Sequence, residues 1–222
     1  MIRVAIIVEG QTEESFVKGP LAEALWYSSV SATPILLGKP GHKGGRTNYA
    51  RVKSDVLRQL KNDPAAYCST MLDYSGLGKG FPGASEIAAG PNRDKVLGIE
   101  KAMSEDVNLE IPDYRPDLRF IPYLQLHEYE GLLFSDPQAL AVAIGEPGLA
   151  QRFQAIREGF PTPEDINDDP AKFPSKRILT LYPSYSKVIQ GVGAARAVSI
   201  DTMRRECPHF REWLERLCGL GL

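Results

Sequence analysis

The first 126 residues alternate short apolar runs with amphipathic stretches, and this alternation constrains the fold more than any other feature of the sequence. The apolar runs span residues 2–8, 31–37, 67–73 and 118–126. The first run consists almost entirely of Ile, Val and Ala, which is typical of a strand covered on both faces. Helix-like stripes separate the runs, for example over residues 48–60. Strands that alternate with helices predict an α/β fold in which helices flank a parallel sheet.

Beyond Glu128 the pattern changes to short and interrupted helix-like segments. Candidate helices span residues 137–144, 149–156, 175–181, 192–205 and 210–217. We therefore predict an α/β domain over residues 1–136 and a helical C-terminal extension, packed on that domain, over residues 137–222.

Length, charge and cysteine content exclude several classes of protein. The chain has 222 residues, which is long enough to bury a sizeable core without disulfides or metals. Since no apolar run approaches the roughly 20 residues that span a bilayer, and the N-terminus lacks signal-peptide features, we expect no membrane association. The three cysteines form no CxxC pair, which favours a reducing cytoplasm. A net charge of −2 gives no whole-molecule case for nucleic-acid binding.

Acidic residues lie at the ends of three predicted strands. Glu9 follows the first run, Asp73 ends the third, and Glu128 and Glu130 follow the fourth. Because the carboxyl ends of parallel strands meet at one edge of a sheet, we expect these carboxylates to converge. Clustered carboxylates need a cation or retained protons, and their hard oxygens suit Mg²⁺ or Mn²⁺. The pattern predicts a divalent-cation site for phosphate chemistry. The simpler interpretation is that each acid is an ordinary polar loop residue.

Three further residues near these motifs have simple structural explanations. Glu13 is a candidate for the site, but an acid in the first turn of a helix is equally explained by the helix dipole. Glu100, on the helix before the fourth strand, is interpreted as a solvated acid. His127 is interpreted as a structural hydrogen-bonding residue.

Two basic segments are candidates for binding phosphate. Lys176 and Arg177 follow Ser175, which is expected to cap a helix and leave backbone N–H groups exposed for an anion. The alternative is a surface helix start with two ordinary bases. Lys43 and Arg46 lie in a glycine-rich loop after the second strand and are expected to track a nucleic-acid backbone. No Walker motif accompanies them.

Several of these segments together resemble an uncharacterised bacterial family with a Toprim-like fold. The matching segments are residues 8–16, 72–74, 127–136, 163–168, 174–177 and 207–210. The resemblance implies the fold of topoisomerases, bacterial primases and overcoming-lysogenization-defect nucleases, with a magnesium-dependent site that makes or breaks phosphodiester bonds. Members of that family are often encoded beside AAA- or ABC-type ATPases, which implies an ATPase partner and a role in phage defence.

Individual positions of the Toprim-like pattern transfer to this sequence. Glu9 matches the acid after the first strand, which implies a metal ligand or general base. Asp73 matches the first acid of an Asp-x-Asp motif, which implies that it is also a metal ligand. The sequence departs from the pattern at the second acid, where Ser75 stands. Glu128 or Glu130 is expected to supply the missing carboxylate.

The resemblance and the residues together predict a Mg²⁺- or Mn²⁺-dependent nuclease that works on nucleic acid with an ATPase partner. Lys176 or Arg177 would stabilise the transition-state charge. Ser75 and the near-zero net charge favour an alternative, a non-catalytic module that docks on an ATPase or senses a nucleotide. A third possibility is a phosphatase or nucleotide-processing enzyme that uses the same acids on a small substrate.

Overall fold

A parallel sheet with its strands in the order β2-β1-β3-β4 forms the centre of the protein, in a computed structural model that describes residues 1–37, 47–84, 92–166 and 172–222. The strands are β1 (Ile2–Val8), β2 (Val30–Leu36), β3 (Tyr67–Asp73), β4 (Phe120–Ile121) and β5 (Leu124–Gln125), and β5 also pairs with β3. Every pairing between these strands is parallel. The predicted α/β fold with a flanked parallel sheet is confirmed.

The fourth predicted strand is divided at Pro122, which has no N–H for the ladder. β4 pairs with the start of β3, and β5 pairs with its end. Between β4 and β5 the Thr70 hydroxyl takes the place of the missing backbone hydrogen bonds. It accepts a hydrogen bond from the Tyr123 N–H at 2.9 Å and donates one to the Tyr123 carbonyl at 2.9 Å. Both short strands therefore keep their register with β3 and deliver the chain to the carboxyl edge of the sheet.

Helices surround the sheet and make up the C-terminal part of the chain. They are α1 (Gln11–Phe16), α2 (Ala22–Trp26), α3 (Tyr49–Asn62), α4 (Asn92–Glu110), α5 (Pro116–Arg119), α6 (Glu130–Leu133), α7 (Pro137–Ala143), α8 (Ala150–Glu158), α9 (Pro174–Leu181), α10 (Val192–Val198), α11 (Ile200–Glu206) and α12 (Pro208–Cys218). Two turns are π-helical, Val17–Leu21 and Lys187–Gly191. In the part of the chain that the structure describes, no helix combines the length and apolar character needed to cross a bilayer.

One predicted helix in the C-terminal region is two helices. Residues 192–205 are interrupted at Ser199, whose φ of 72° lies in the left-handed region. The Ser199 hydroxyl caps α11 by accepting the Thr202 N–H at 3.3 Å. The helical periodicity continues across this break, so the pattern alone does not reveal it.

The hydrophobic core lies on both faces of the sheet. Ile7 packs with residues of α3 and α4 on one face. Val4, Ile6 and Val8 point to the other face, as alternation along a strand requires, and pack with α1, α2 and the C-terminal helices. Residues 1–136 and 137–222 therefore share one apolar cluster. The boundary at residue 136 stays a prediction.

Candidate functional site

An acidic cavity of about 310 Å³ lies at the carboxyl edge of the sheet. Its lining residues come from the ends of β1 and β3, from α1, from the turn before α6 and from the segments around α9: Glu9, Gly10, Thr12, Glu13, Asp73, Ser75, Gly76, Glu128, Phe173 and Lys187. Three of the predicted acids, Glu9, Asp73 and Glu128, thus come together. The fourth, Glu130, is buried behind them, where it binds Lys187.

Glu9 leaves β1 and lies against the backbone of Gly76. A Cβ at position 76 would stand 3.0 Å from Glu9 Oε2, so any larger residue there would displace the carboxylate. Burial raises the pKa of Glu9, the side-chain hydrogen bond from Thr47 opposes this rise, and the negative charge of Glu13 adds to it. Glu9 is therefore a carboxylate whose charge is destabilised by its surroundings.

Glu13 joins the cavity from the first turn of α1. Helix α1 begins after Gly10 and not after Thr12, and Glu13 Oε2 accepts the Gly10 N–H at 3.0 Å. Burial raises the pKa of Glu13, although this hydrogen bond and Lys187 oppose the rise. Both explanations that the sequence allowed therefore apply, because Glu13 caps its helix and also lines the cavity.

Asp73 connects the end of β3 to the turn that precedes α6. Its Oδ1 atom accepts the Tyr129 N–H at 2.9 Å. Burial raises the pKa of Asp73 well above its usual range, and neighbouring glutamates, Glu13 first among them, raise it further. The charged form of Asp73 is consequently disfavoured by its surroundings, which makes it a natural position for a compensating cation.

The turn before α6 depends on His127, which adopts a left-handed backbone conformation with φ of 63°. Such a conformation strains a residue with a Cβ, and strain of this kind concentrates at functional sites. The His127 carbonyl accepts the Ser75 N–H at 3.1 Å, and its ring lies 3.4 Å from the Asn92 side-chain amide. Burial lowers the pKa of His127 to about 4, so the ring is neutral at neutral pH. The turn directs Glu128 into the acidic cavity and is followed by Glu130, which is buried behind it.

Lys187 supplies a positive charge inside the acidic cluster. Its Nζ atom lies 3.1 Å from Glu130 Oε2 and 4.0 Å from Glu128 Oε1. Burial alone would lower the pKa of Lys187, but Glu130 and Glu128 raise it overall. Burial raises the pKa of Glu130 to about 7, against the opposing effect of Lys187. Among the described residues, the ammonium group of Lys187 is thus the positive charge that lies beside these carboxylates.

The donor set of the cavity fits a hard divalent cation. Its ligands would be carboxylate oxygens, which Mg²⁺ and Mn²⁺ prefer. Glu130 is 1% exposed, and its Oε1 atom has no hydrogen-bond partner among the described residues. Among those same residues, no three Asp, Glu, His or Cys side chains form a close grouping of the kind that holds a metal ion. The chemistry therefore fits, although the carboxylates are not drawn together around one point.

The two predicted basic residues of α9 lie away from the cavity. Lys176 is exposed on α9, and Arg177 donates to the Lys172 carbonyl at 2.8 Å and stacks on the Phe160 ring at 5.1 Å. Neither contributes to the lining of the cavity. Lys43 and Arg46 lie outside the described residues.

The predicted cap of α9 is wrong. Pro174 is the first residue of the helix and Phe173 precedes it, so Ser175 lies inside the first turn. Its N–H donates to Glu128 Oε2 at 3.0 Å. The N-terminus of α9, where the helix dipole favours negative charge, is therefore occupied by one of the protein's own carboxylates.

Sequence reasoning missed Lys187 and misjudged Glu100. Lys187 belongs to an acid-free basic block over residues 172–187, which was the only signal for it, and its π-helical turn has no 3.6-residue period. Glu100 is buried, accepts the Leu124 N–H at 2.7 Å and lies 3.0 Å from His209 Nε2. The apolar stripe of α4 did not show that one acid shares its buried face.

Comparisons with known proteins give one family and two solved structures. The family model described as "Domain of unknown function (DUF4276)" matches residues 8–218. The C-terminal region of the OLD protein of Xanthomonas campestris pv. campestris, phased with mercury, is 16% identical with a TM-score of 0.42 over 100% of this chain and 97% of that chain. The same region phased with platinum is 15% identical with a TM-score of 0.43 over 99% and 94%. No curated protein matches the chain.

Proposed function

The chain belongs to the DUF4276 family, and we propose that it is a Mg²⁺- or Mn²⁺-dependent nuclease that hydrolyses phosphodiester bonds at the acidic cavity. The observation that carries this proposal is the convergence of Glu9, Glu13, Asp73 and Glu128, from distant parts of the chain, around one cavity that Lys187 also lines. Perturbed carboxylates that converge in a cavity are typical of a catalytic site. The resemblance of the same motifs to Toprim-like proteins supports the same chemistry.

The residues of the cavity have distinct roles in this proposal. A bound cation would polarise a phosphoryl oxygen and lower the pKa of its water. Glu9 and Asp73 would hold the cation, and Glu9 would also accept a proton from the attacking water. Lys187, rather than Lys176 or Arg177, is the base that faces the cavity, and it would stabilise the negative charge of the transition state.

Further basic residues would hold the rest of the substrate. Candidate contacts for the nucleic-acid backbone are Lys176 and Arg177 on α9, and Lys43 and Arg46, which follow β2 in the sequence and lie outside the described residues. By resemblance, the partner of the nuclease would be an AAA- or ABC-type ATPase, and the setting would be phage defence in the cytoplasm.

Carboxamide variants test the proposal directly. We expect Glu9→Gln and Asp73→Asn each to reduce the nicking of supercoiled plasmid in Mg²⁺ or Mn²⁺ by about 100-fold or more, equivalent to about 2.7 kcal/mol of transition-state stabilisation. Cleavage of single-stranded DNA and RNA is measured in parallel. Glu14→Gln is the matched control, because Glu14 lies beside Glu13 but pairs with Lys18 at 2.6 Å outside the cavity. Unchanged nicking by both cavity variants would reject the nuclease.

One observation favours a second candidate, a non-catalytic module that docks on an ATPase or senses a nucleotide. Ser75 lines the cavity where a second carboxylate would strengthen cation binding, and the described residues contain no preformed metal grouping. Titration calorimetry with Mn²⁺ separates the two candidates. A nuclease binds the cation at the cavity and loses the binding in Asp73→Asn, whereas a docking module shows no such binding.

A further inference from the structure

We propose that Lys187 takes the place of a second divalent cation, so that the cavity binds one cation and not two. This inference rests on the proposed function, because it concerns the stoichiometry of the same site. It divides the acidic cluster into two parts. Glu128 and Glu130 are neutralised by the lysine, whereas Glu9, Glu13 and Asp73 remain for one cation.

The first argument is the position of the ammonium group. Lys187 Nζ lies between two carboxylates, 3.1 Å from Glu130 and 4.0 Å from Glu128. Glu130 is 1% exposed, and a carboxylate buried to that extent needs a positive charge beside it or must retain a proton. The lysine thus provides the counter-charge that a cation would have to provide in its absence.

The second argument is the number of ligands. A pair of metal ions about 3.5–4 Å apart needs carboxylates that serve both ions. Glu128 Oε2 is engaged by the Ser175 N–H at 3.0 Å, and Glu130 Oε2 by Lys187. Position 75 offers a neutral hydroxyl to the cavity. Glu9, Glu13 and Asp73 also accept hydrogen bonds, from Thr47 and from the Gly10 and Tyr129 N–H groups, but among the described residues none of the three forms an ion pair with Lys187. These three carboxylates suit one Mg²⁺, which typically takes one or two carboxylates and keeps several waters.

The third argument is that the lysine is held in place. Its π-helical turn is closed by Ser186, whose N–H donates to Gln190 Oε1 at 2.8 Å, and Gln190 also donates to the Ile144 carbonyl at 3.0 Å. At the end of the turn Gly191 packs so closely that a Cβ would lie 2.9 Å from Tyr185 Oη and 3.8 Å from Thr12. The turn that carries Lys187 is therefore closely packed, and Glu130 holds the ammonium group at the site although 42% of the lysine side chain is exposed.

The test counts bound Mn²⁺ per chain by titration calorimetry and by the electron paramagnetic resonance signal of free Mn²⁺. We expect one Mn²⁺ in the wild-type protein and in Lys187→Arg, and two in Lys187→Gln. Lys187→Gln should also gain more thermal stability from Mn²⁺ than the wild type does. Lys18→Gln, which removes a lysine paired with Glu14 on the surface, is the control and should bind one.

The outcomes separate this inference from the proposed function. Two Mn²⁺ bound to the wild-type protein, or one bound to Lys187→Gln, would overturn the role of Lys187 and leave the nuclease in place. No Mn²⁺ bound to the wild-type protein would overturn the proposed function itself and this inference with it. The wild-type count decides the matter even if Lys187→Gln does not fold, since a value of two is incompatible with the lysine as a substitute.

Discussion

Asp73 accepts a hydrogen bond that supports the fold and carries a charge that the proposed cation would need, and one substitution separates the two. Its Oδ1 atom accepts the Tyr129 N–H, while burial and neighbouring glutamates disfavour its charge. Asp73→Asn keeps an oxygen for that hydrogen bond and removes the charge. We expect the variant to be more stable than the wild type without metal at pH 7.5, by about 1 kcal/mol or roughly 2–4 °C in Tm. It should lose the stabilisation that Mg²⁺ gives the wild type.

Thermal unfolding in EDTA and in Mg²⁺ checks this expectation. Asp63→Asn is a suitable control, because the side-chain hydrogen bond from Arg3 holds the pKa of Asp63 below its usual value. That variant should lose stability instead of gaining it and should keep the response to Mg²⁺. A metal-free Asp73→Asn protein that unfolds at lower temperature than the wild type would show that the charge is already compensated.

His209 should make the stability of the protein depend on pH. Burial alone would lower the pKa of His209, but the hydrogen bond and charge of Glu100 raise it overall. Because the folded pKa lies above the unfolded value of about 6.5, His209 stabilises the fold fully below that value and loses the effect as pH rises through the folded pKa. The difference in unfolding free energy between the wild type and His209→Gln should therefore shrink as pH rises from about 6.5 through the raised pKa of the folded state.

Urea unfolding of both proteins at several pH values measures this difference. The raised pKa values of the cavity carboxylates affect both proteins alike, so they largely cancel. His127 acts in the opposite sense, because its pKa of about 4 destabilises the fold as pH falls below about 6.5. A difference that grows with pH would show that Glu100 does not stabilise the charged form of His209.

The sequence revealed those site residues that follow strands. Glu9 and Asp73 were found because parallel strands end at one edge, a rule that needs only strand positions. Lys187 was not predicted from the sequence, because its position depends on how a π-helical turn packs on α1. That packing is set by the close approach of Gly191 to Thr12 and Tyr185, which leaves no periodic trace in the sequence.

At the scale of elements, the π-helical turn Lys187–Gly191 connects α1 to the C-terminal helices. A Cβ at position 191 would stand 2.9 Å from Tyr185 Oη, whose surroundings are closely packed. We expect Gly191→Ala to displace the turn and to lower the unfolding free energy by about 1–3 kcal/mol. Because Lys187 moves with the turn, the variant should also bind more Mn²⁺ than the wild type, in the same direction as Lys187→Gln. Urea unfolding and calorimetry measure the two effects.

Gly193→Ala provides the matched control in the neighbouring helix. A Cβ at position 193 meets nothing within 4 Å, so alanine there should raise helix stability by up to about 1 kcal/mol and leave Mn²⁺ binding unchanged. Adding Tyr185→Phe to Gly191→Ala removes the oxygen that the new Cβ would meet and should restore part of the lost stability. Equal effects of alanine at positions 191 and 193 would contradict the close approach.

Element boundaries show where local sequence rules succeed and where they fail. β3 was predicted with its observed bounds because its apolar run ends at an acid. The fourth strand is divided at Pro122, and the hydrogen bonds of the Thr70 hydroxyl that bridge the division depend on a neighbouring strand, which local sequence rules do not show. Helix α4 extends to Glu110, and Val107 in its last turns continues its buried face.

At the scale of the whole molecule, the C-terminal helices complete the core of the α/β part. Trp213 on α12 stacks on Tyr123 with ring centroids 4.2 Å apart, and its Nε1 donates to Ser69 Oγ at 2.9 Å. Phe210 lies in the same apolar cluster as Phe16 of α1. The composition of the chain predicted a helical extension, but it did not show that one face of the sheet depends on that extension.

This shared core predicts the behaviour of the separated parts. Residues 1–136 alone would expose the apolar cluster that α10 and α12 cover, and fully burying each large apolar side chain contributes about 1.5–3 kcal/mol. We expect this fragment to lack near-UV circular dichroism and to bind a hydrophobic dye, whereas the whole chain unfolds in one cooperative transition. Trp213→Phe should destabilise the whole chain, and Trp26→Phe, at a position that is 61% exposed, should not. A fragment that unfolds cooperatively with native-like near-UV signal would make residue 136 a true domain limit and the C-terminal helices an accessory to an independent fold.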